Sequence, residues 1–334
     1  MIKNFCIIGA GWYGCHIGVF LKKLGHNVTI HEKENNIFLG SSGFNQFRLH
    51  QGFHYPRSSE TIKEIKKNYK KFISTYKKYI FFPKNNFYCI AKKKSLIDAR
   101  TYETILKSHK LKFKKINKNN ITNIEGAYLS NEGVIKNDEV IKFYKKRLKE
   151  NIILNKKITN INTLKKNYDY VLDCTNNTLV NRFYREFNYV LTISLVYKKK
   201  NNSVFPITVM DGKLPSLYPY ADKKNYFTLT HSNFTHIKKF KNMKVLEKYK
   251  AKITQRNINN IISKMEKSIL LFYPRFYKDF SYNNFFFSYK VLPSETSDKR
   301  STFISRHENI ISCTSPKITN IFSYEDYIKK LLKG

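Results

Sequence analysis

Acid, proline, glycine and cysteine are all scarce in this chain. Its 334 residues carry 12 glycines, 8 prolines, 5 cysteines and 24 aspartates and glutamates, the last set against 62 lysines and arginines. With so few chain breakers and no serine- or glycine-rich tract, the sequence holds no low-complexity linker, and no internal repeat is visible. The cysteines (Cys6, Cys15, Cys89, Cys174 and Cys313) are odd in number and dispersed. That argues against a disulfide framework and fits a reducing compartment. They form no CxxC or Cys/His spacing, so no metal is expected. Cys6, Cys89 and Cys174 lie in apolar runs, where cysteine behaves as a small buried hydrophobe. No apolar run approaches the roughly 20 residues that cross a bilayer, so no transmembrane segment is expected. Leu270-Leu271-Phe272-Tyr273 and Phe285-Phe286-Phe287 read as core strands. Arginine, the residue suited to forked contacts with phosphates and bases, is also rare. The net charge of +38 therefore reads as a solvated lysine surface, and no nucleic-acid partner is expected.

What is present is a core-forming composition, 41% hydrophobic and 15% aromatic, and one ordered motif near the start. Phe5-Cys6-Ile7-Ile8 reads as a strand. Gly9-Ala10-Gly11-Trp12-Tyr13-Gly14 then turns into a helix that runs to Leu24-Gly25, and Asn27-Val28-Thr29-Ile30-His31 reads as a second strand closing on Glu32 and Lys33. Each glycine has a task. Gly9 makes the tight turn, Gly11 lets backbone approach a pyrophosphate, and Gly14 lets helix and sheet pack closely. The helix start offers free N–H groups and a positive dipole end to phosphates. Glu32 stands about 20 residues past the glycines, where an acid accepts ribose hydroxyls. An acid there repels a 2′-phosphate, which favours NAD or FAD over NADP. The first apolar run belongs to this strand, leaves no leader peptide, and with the cysteine pattern suggests a cytoplasmic protein.

Further along, Ile62, Ile65, Tyr69, Phe72 and Ile73 recur at helical spacing between Ser59 and Tyr79. A strand is expected at Phe87–Ala91, and helices at Leu96–Leu106 and Val140–Leu148, the latter capped by Asn137 or Asp138. Ile152–Leu154, Ile158–Ile161 and Tyr168–Cys174 read as strands. From 185 to 290 the pattern is β-rich, with strands at Tyr189–Tyr197, Ile207–Asp211, Leu217–Tyr220, Tyr226–Thr230 and Phe285–Leu292 and one helical insert from Val245 to Lys267. Ser301–Ser305, Ile310–Ser312 and a helix from Tyr324 to Leu332 close the chain. The fold class is α/β with interleaved domains rather than separate beads.

A second constellation follows the ribose acid. Gly40-Ser41-Ser42-Gly43-Phe44-Asn45-Gln46-Phe47-Arg48-Leu49-His50-Gln51-Gly52-Phe53-His54-Tyr55-Pro56-Arg57-Ser58 is polar and placed to run beside a bound cofactor. With the glycine turn and Glu32, this run resembles the FAD-dependent oxidoreductases of the D-amino-acid oxidase superfamily. His50-Gln51-Gly52 is similar to the His-x-Gly of its L-2-hydroxyglutarate oxidases and glycerol-3-phosphate dehydrogenases. The tail is similar too, through Lys290-Val291-Leu292-Pro293, Ser297-Asp298-Lys299-Arg300, Ile310-Ile311-Ser312 and Lys317-Ile318-Thr319-Asn320-Ile321-Phe322. The resemblance implies a Rossmann-like FAD-binding domain in three pieces (1–82, 130–184, 290–334) interleaved with a β-rich α+β substrate domain (83–129, 185–289).

It also implies roles. Gly9, Ala10, Gly11, Trp12, Tyr13 and Gly14 would hold the pyrophosphate, with Ser41 and Ser42 near it. Glu32 and Lys33 would meet the adenosine ribose, Ile158 the adenine and Thr175 the pyrophosphate side. Arg48 and His50 would lie near the isoalloxazine, and Lys317 and Ile318 near its pyrimidine. Members usually carry glycine where this chain has Asn176-Asn177 and Ser315-Pro316. The implied activity is oxidation of a C–H next to an amine or hydroxyl of a small polar substrate (an amino acid, hydroxy acid or sugar derivative), by hydride transfer to flavin N5. His50 or His54 would take the heteroatom proton. Arg48 and Arg300 would bind a substrate carboxylate or phosphate, unless they serve in ordinary salt bridges. An NAD-linked dehydrogenase and a catalytically decayed nucleotide-binding protein remain the alternatives. The substrate, electron acceptor and oligomeric state are open.

Overall fold

A computed structural model describes residues 1–117, 120–179, 186–202, 204–221, 223–294 and 302–333. The architecture is mixed α/β and is built on three sheets. The first has six strands in the order Phe303–His307, Ile310–Thr314, Tyr170–Asp173, Asn4–Ile8, Asn27–His31 and Ile152–Ile153. All run parallel except the edge strand Phe303–His307. Parallel strands need cover on both faces, and the first strand supplies apolar side chains to both. Phe5 and Ile7 face a core shared with the helices Trp12–Lys23, Asn137–Leu148 and Ile321–Lys333, while Cys6 and Ile8 face a smaller cluster with Val171, Ile161 and Ile310.

The second sheet has nine strands. Its spine is Phe187–Lys199, paired along its whole length with Phe280–Pro293. On the other edge it meets His236–Phe240 and then Tyr226–His231, after which the sheet continues through Pro215–Pro219, Ile207–Met210 and Phe87–Ala91. The helix Gln255–Leu270 covers one face with Ile258, Met265 and Ile269.

A third, small sheet positions the site. Arg48–Leu49 and Ile80–Phe81 flank Gly133–Ile135, both antiparallel, with Arg48 opposite Val134 and Leu49 opposite Gly133. The helix Ser59–Tyr76 begins at Ser58, whose hydroxyl accepts from the Thr61 amide at 3.4 Å, and buries Ile62, Ile65 and Phe72 on one face.

Several local expectations are corrected. Ile158–Ile161 is not a strand: Asn160 accepts from the Asn162 amide at 3.0 Å and starts a 3-10 turn, Ile161–Leu164, a local side-chain bond that competes with pairing. Leu270–Tyr273 is the end of a helix and its turn, where the Phe272 and Tyr273 amides both return to the Ile269 carbonyl. The helical insert is two helices, Met243–Lys250 and Gln255–Leu270, each started by its own cap, Asn242 and Thr254. The helix expected to be capped by Asn137 or Asp138 has Lys136 at its cap and a buried Asn137 in its first turn. That first turn satisfies the dipole instead, with Asp138 and Glu139.

Candidate functional site

One cavity of about 1830 Å³ runs between the parallel sheet and the inner face of the nine-stranded sheet. Ligand pockets for single small molecules hold about 300–1,000 Å³, so this one has room for a cofactor and a substrate together.

Its first end is the glycine turn. Gly9 adopts φ 97° and Gly11 is the cap of the helix Trp12–Lys23, so that helix start has no side chain of its own over its free amides. A Cβ on Gly11 would stand 2.8 Å from Ser42 Oγ, and one on Gly14 would stand 1.9 Å from the Gly9 carbonyl oxygen. Ser42 Oγ accepts from the Trp12 amide at 3.0 Å, and Ser41 Oγ donates to the Tyr289 carbonyl at 2.9 Å. Trp12 itself packs inward against Phe38, Tyr76 and Tyr144, and the Tyr13 hydroxyl donates to the Lys317 carbonyl at 2.7 Å. Glu32 lines the cavity with its carboxylate aimed back at the turn, accepting from the Ala10 amide at 2.7 Å and the Glu34 amide at 3.0 Å. Beside it, Lys33 pairs with Glu34 at 3.3 Å. His31, buried and lining the same stretch, has no hydrogen-bond partner on either ring nitrogen. Ile158, Thr175 and Ile318 line the cavity as well, and Thr175 is tied by its amide and hydroxyl to Asp173.

Asn176 and Asn177 stand where glycine was expected, with φ of 58° and 60°. Asparagine is a non-glycine residue that enters this left-handed region with little strain. The backbone path is therefore kept, and Asn177 is tied to the Tyr189 hydroxyl, which donates to its carbonyl at 2.6 Å.

The other end of the cavity gathers the polar run. Arg48 is buried beneath it. Its guanidinium donates to Ser216 Oγ at 3.0 Å and to the Tyr88 hydroxyl at 2.6 Å, stacks 4.0 Å above the Tyr218 ring, and lies 3.7 Å from Glu132. Only Nε of Arg48 is left without a partner. Glu132 is fully buried and accepts from the Gln51 amide at 2.7 Å and from the Tyr88 hydroxyl at 2.5 Å. His50 and His54 lie side by side with ring centroids 5.3 Å apart and planes tilted by 36°, and both are pushed well below the usual histidine range, chiefly by burial and then by nearby cations. Both rings are therefore neutral near pH 7. Lys317 lies 4.0 Å above the Tyr55 ring, and burial together with Arg48 lowers its pKa to about 7.

The structure thus brings fourteen of the expected positions to one cavity: Gly9, Gly11, Trp12, Tyr13, Glu32, Lys33, Ser41, Ser42, Arg48, His50, His54, Ile158, Thr175 and Lys317, with Ile318 a fifteenth. Ala10 and Gly14 do not line it; they shape the turn from behind. Arg300 lies outside the described residues. His231 and Tyr289 of the nine-stranded sheet line the cavity, whereas Tyr218 is buried beneath Arg48 and Tyr220, just past its strand, packs on Phe47 and Phe286. Glu132 was missed by sequence reasoning. It sits in the unremarkable run Ser130-Asn131-Glu132-Gly133, and only the pairing of the small sheet carries it to Arg48 and His50.

A helix start whose cap residue is a glycine, a turn that tolerates no Cβ, an acid at the adjoining strand end and an unpartnered buried histidine suit a dinucleotide, and the second end leaves space for a ring system and a substrate. These features define a dinucleotide-dependent redox enzyme of the flavoprotein type. The chain belongs to the FAD dependent oxidoreductase (DAO) family, whose model matches residues 4–314. It is an FAD-dependent enzyme. It is 30% identical over 336 residues to a protein of Fusarium mangiferae named FAD-dependent monooxygenase FPY4, covering 98% of this chain and 90% of that one. Its fold is similar to that of L-alpha-glycerophosphate oxidase from Mycoplasma pneumoniae with FAD bound (TM-score 0.72, 13% identity, 100% of this chain and 95% of that one). It is also similar to glycine oxidase from Geobacillus kaustophilus (TM-score 0.69, 10% identity, 96% and 90%). Among the described residues, no helix is long and apolar enough to cross a membrane.

Proposed function

We propose that this enzyme oxidises a C–H bond next to an amine or hydroxyl of a small polar substrate, with the cofactor lying along the cavity. Held by the residues below, FAD would supply the two-electron acceptor, with hydride transfer to its N5 as the proposed chemistry. The diphosphate would rest at the Gly9–Gly14 turn and the start of the Trp12 helix, near Ser41, Ser42 and Thr175. Glu32 and Lys33 would meet the ribose, and Ile158 the adenine. The six-stranded sheet would then be the core of the cofactor domain assigned to 1–82, 130–184 and 290–334. The nine-stranded sheet would shape the substrate domain, 83–129 and 185–289.

The observation that carries this reading is the continuity of the cavity: the ribose acid and glycine turn line one end, and Arg48, His50, His54 and Lys317 line the other. At the second end the chain provides two neutral imidazoles able to accept a proton and a clamped guanidinium that fixes positive charge. Lys317, with Ile318 beside it, would offer a cation to the pyrimidine side of the cofactor. The inner face of the nine-stranded sheet contributes hydroxyls from Thr192, Ser194, Thr208, Ser216 and Thr230, which suits a polar substrate.

Anaerobic mixing of the yellow holoprotein with amino acids, hydroxy acids and sugar derivatives tests the reading. Bleaching of the flavin band by one class supports it, and holoprotein that no such substrate bleaches refutes it. The name of the Fusarium relative favours a second reading of the later half-reaction, in which dioxygen is split and one atom enters the product. Labelled dioxygen separates the two: label in the product supports monooxygenation, and hydrogen peroxide without label supports a plain oxidase.

A further inference from the structure

We infer that Glu132 and His50 form a carboxylate–imidazole dyad in which Glu132 keeps the proton on His50 Nδ1, leaving Nε2 as the base that faces the cavity. The inference rests on the oxidation reading above and names the residue that takes the substrate proton. In that step the O–H or N–H proton of the substrate passes to His50 Nε2. The adjacent C–H bond breaks, its hydride going to FAD, and a C=O or C=N bond forms.

The fold builds the pair. In the small antiparallel sheet Leu49 stands opposite Gly133, so His50 and Glu132 are the next residues in register as the strands leave the ladder. Their side chains meet, with His50 Nδ1 3.5 Å from Glu132 Oε2. Glu132 is fully buried, and a buried carboxylate persists only when donors surround it. The Gln51 amide, the Tyr88 hydroxyl and the Arg48 guanidinium take three directions. His50 takes the fourth.

The imidazole side is equally constrained. Nδ1 of His50 is sealed from solvent and has no hydrogen-bond acceptor within bonding distance, so the Glu132 carboxylate is the group able to hold a proton there. The remaining exposure of the ring opens to the cavity, since His50 is among its lining residues. At 3.5 Å the contact is longer than a formed hydrogen bond; catalytic contacts of this kind commonly shorten when substrate binds. His54 is the natural competitor. Its Nδ1 is also buried and unpartnered, but no carboxylate reaches it within ion-pair distance among the described residues; Glu132 acts on it only from farther away. The groups facing His50 are Glu132, Arg48, Lys317 and Lys290, with the His54 ring tilted beside it and the Tyr55 ring at about a right angle to it. Burial and the three cations keep the ring neutral, and the single carboxylate decides which nitrogen holds the proton.

The test uses holoenzyme in two ways. In 15N spectra of histidine-labelled wild type, His50 is expected as the Nδ1–H tautomer, and the Nε2–H tautomer would overturn the dyad. In anaerobic stopped flow, Glu132→Gln should slow flavin reduction on the order of 100- to 10,000-fold, the range general-base catalysis supplies, with little change in substrate KM. Glu132→Asp should recover part of the rate, and His50→Gln should be as slow as Glu132→Gln, with no further loss in the double variant. A Glu132→Gln enzyme that keeps both the rate and the pH profile of wild type overturns the inference. So does a loss confined to KM, which would make Glu132 only the anchor of Arg48. If wild type is bleached by no substrate, the oxidation reading fails, while the 15N tautomer still judges the dyad by itself.

Discussion

Replacing Gly14 by alanine puts the greatest load on the smallest change. The added Cβ would stand 1.9 Å from the Gly9 carbonyl oxygen, 3.1 Å from its carbon and 3.2 Å from Ile7 Cγ2. Since real Cβ contacts stay beyond 3.0 Å, the helix must retreat from the turn by more than about 1 Å. Two of the three obstructing atoms are backbone, so no rotamer change relieves them. Overpacking of this kind costs about 3 kcal/mol, which is roughly a 100-fold change in an equilibrium. The retreat displaces Trp12 and Tyr13, which line the cavity at the helix start, so the loss should appear in FAD affinity as well as stability. Alanine serves at this position in some dinucleotide folds, which makes the expectation a risky one. Gly18→Ala is the control: its Cβ meets Ile30 Cδ1 at 2.8 Å, the movable tip of a side chain, and alanine gains up to about 1 kcal/mol of helix propensity over glycine. Titration of apoprotein with FAD, followed by flavin fluorescence, and urea unfolding measure both variants. Gly14→Ala should bind FAD about 100-fold more weakly, with Gly18→Ala near wild type. A Gly14→Ala protein within threefold of wild type in affinity and unchanged in stability would refute the reasoning.

Asn177→Ala should destabilise the protein by about 1–2 kcal/mol, the cost of the left-handed region for a residue with a plain Cβ, whereas Asn176→Gly keeps the backbone at ease and should lose about 1 kcal/mol in the same urea titration, with the bond that Asn176 accepts from Thr314 Oγ1 at 2.6 Å. At the far side of the Trp12 helix, Glu325 accepts from His16 at 2.9 Å and from Lys71 at 3.1 Å. Burial opposes ionisation there, but His16, Lys329 and Lys71 outweigh it and hold the carboxyl well below its usual range. His16 is itself pushed down by burial, so the two lysines carry the balancing charge. A depressed carboxyl stabilises fully above its unfolded pKa of about 4.3 and stops doing so as pH falls through its lower folded value. Glu325→Gln should therefore lose about 1–3 kcal/mol at pH 7, with the gap to wild type closing in acid. Lys317 gives the same direction of pH dependence, but from a charge that costs stability rather than one that supplies it. Its pKa near 7 lies below the unfolded lysine value, so the unfolded chain binds the extra proton between the two and stability rises with pH across that window. Lys317→Met should abolish that rise when urea midpoints at pH 7 and pH 9 are compared.

Much of the cofactor end was legible because its signal is local. Phe5 to Ile8, the three glycines and Glu32 each act within a single crossover, so spacing along the chain equals spacing in the fold. The end of the cavity around Arg48 was legible only as a cluster of residue types. Arg48, His50 and His54 announce polarity, but their partners Tyr88, Glu132, Ser216 and Tyr218 come from three distant segments, and no local periodicity marks them. Glu132 is the plainest case, since its role depends on the register of a ladder only two residues deep. The strand expected at Ile158–Ile161 failed for a different reason: alternation over four residues is weaker than one asparagine cap. Asn176 and Asn177 looked like departures because the sequence shows residue identity, whereas the fold requires only the sign of φ.

The parallel sheet takes its strands from three remote stretches, 4–31, 152–173 and 303–314, and the Tyr13 hydroxyl rests on a carbonyl 304 positions away. During synthesis the opening crossover therefore emerges long before the strands that cover its neighbour edge. Until nearly all of the described chain has left the ribosome, Tyr170–Asp173 has no partner on its outer side, and its apolar residues stay open to sticking. Assembly of this sheet waits for Ile310–Thr314, and a nascent chain halted before Ile310 should draw on chaperones rather than hold a cofactor.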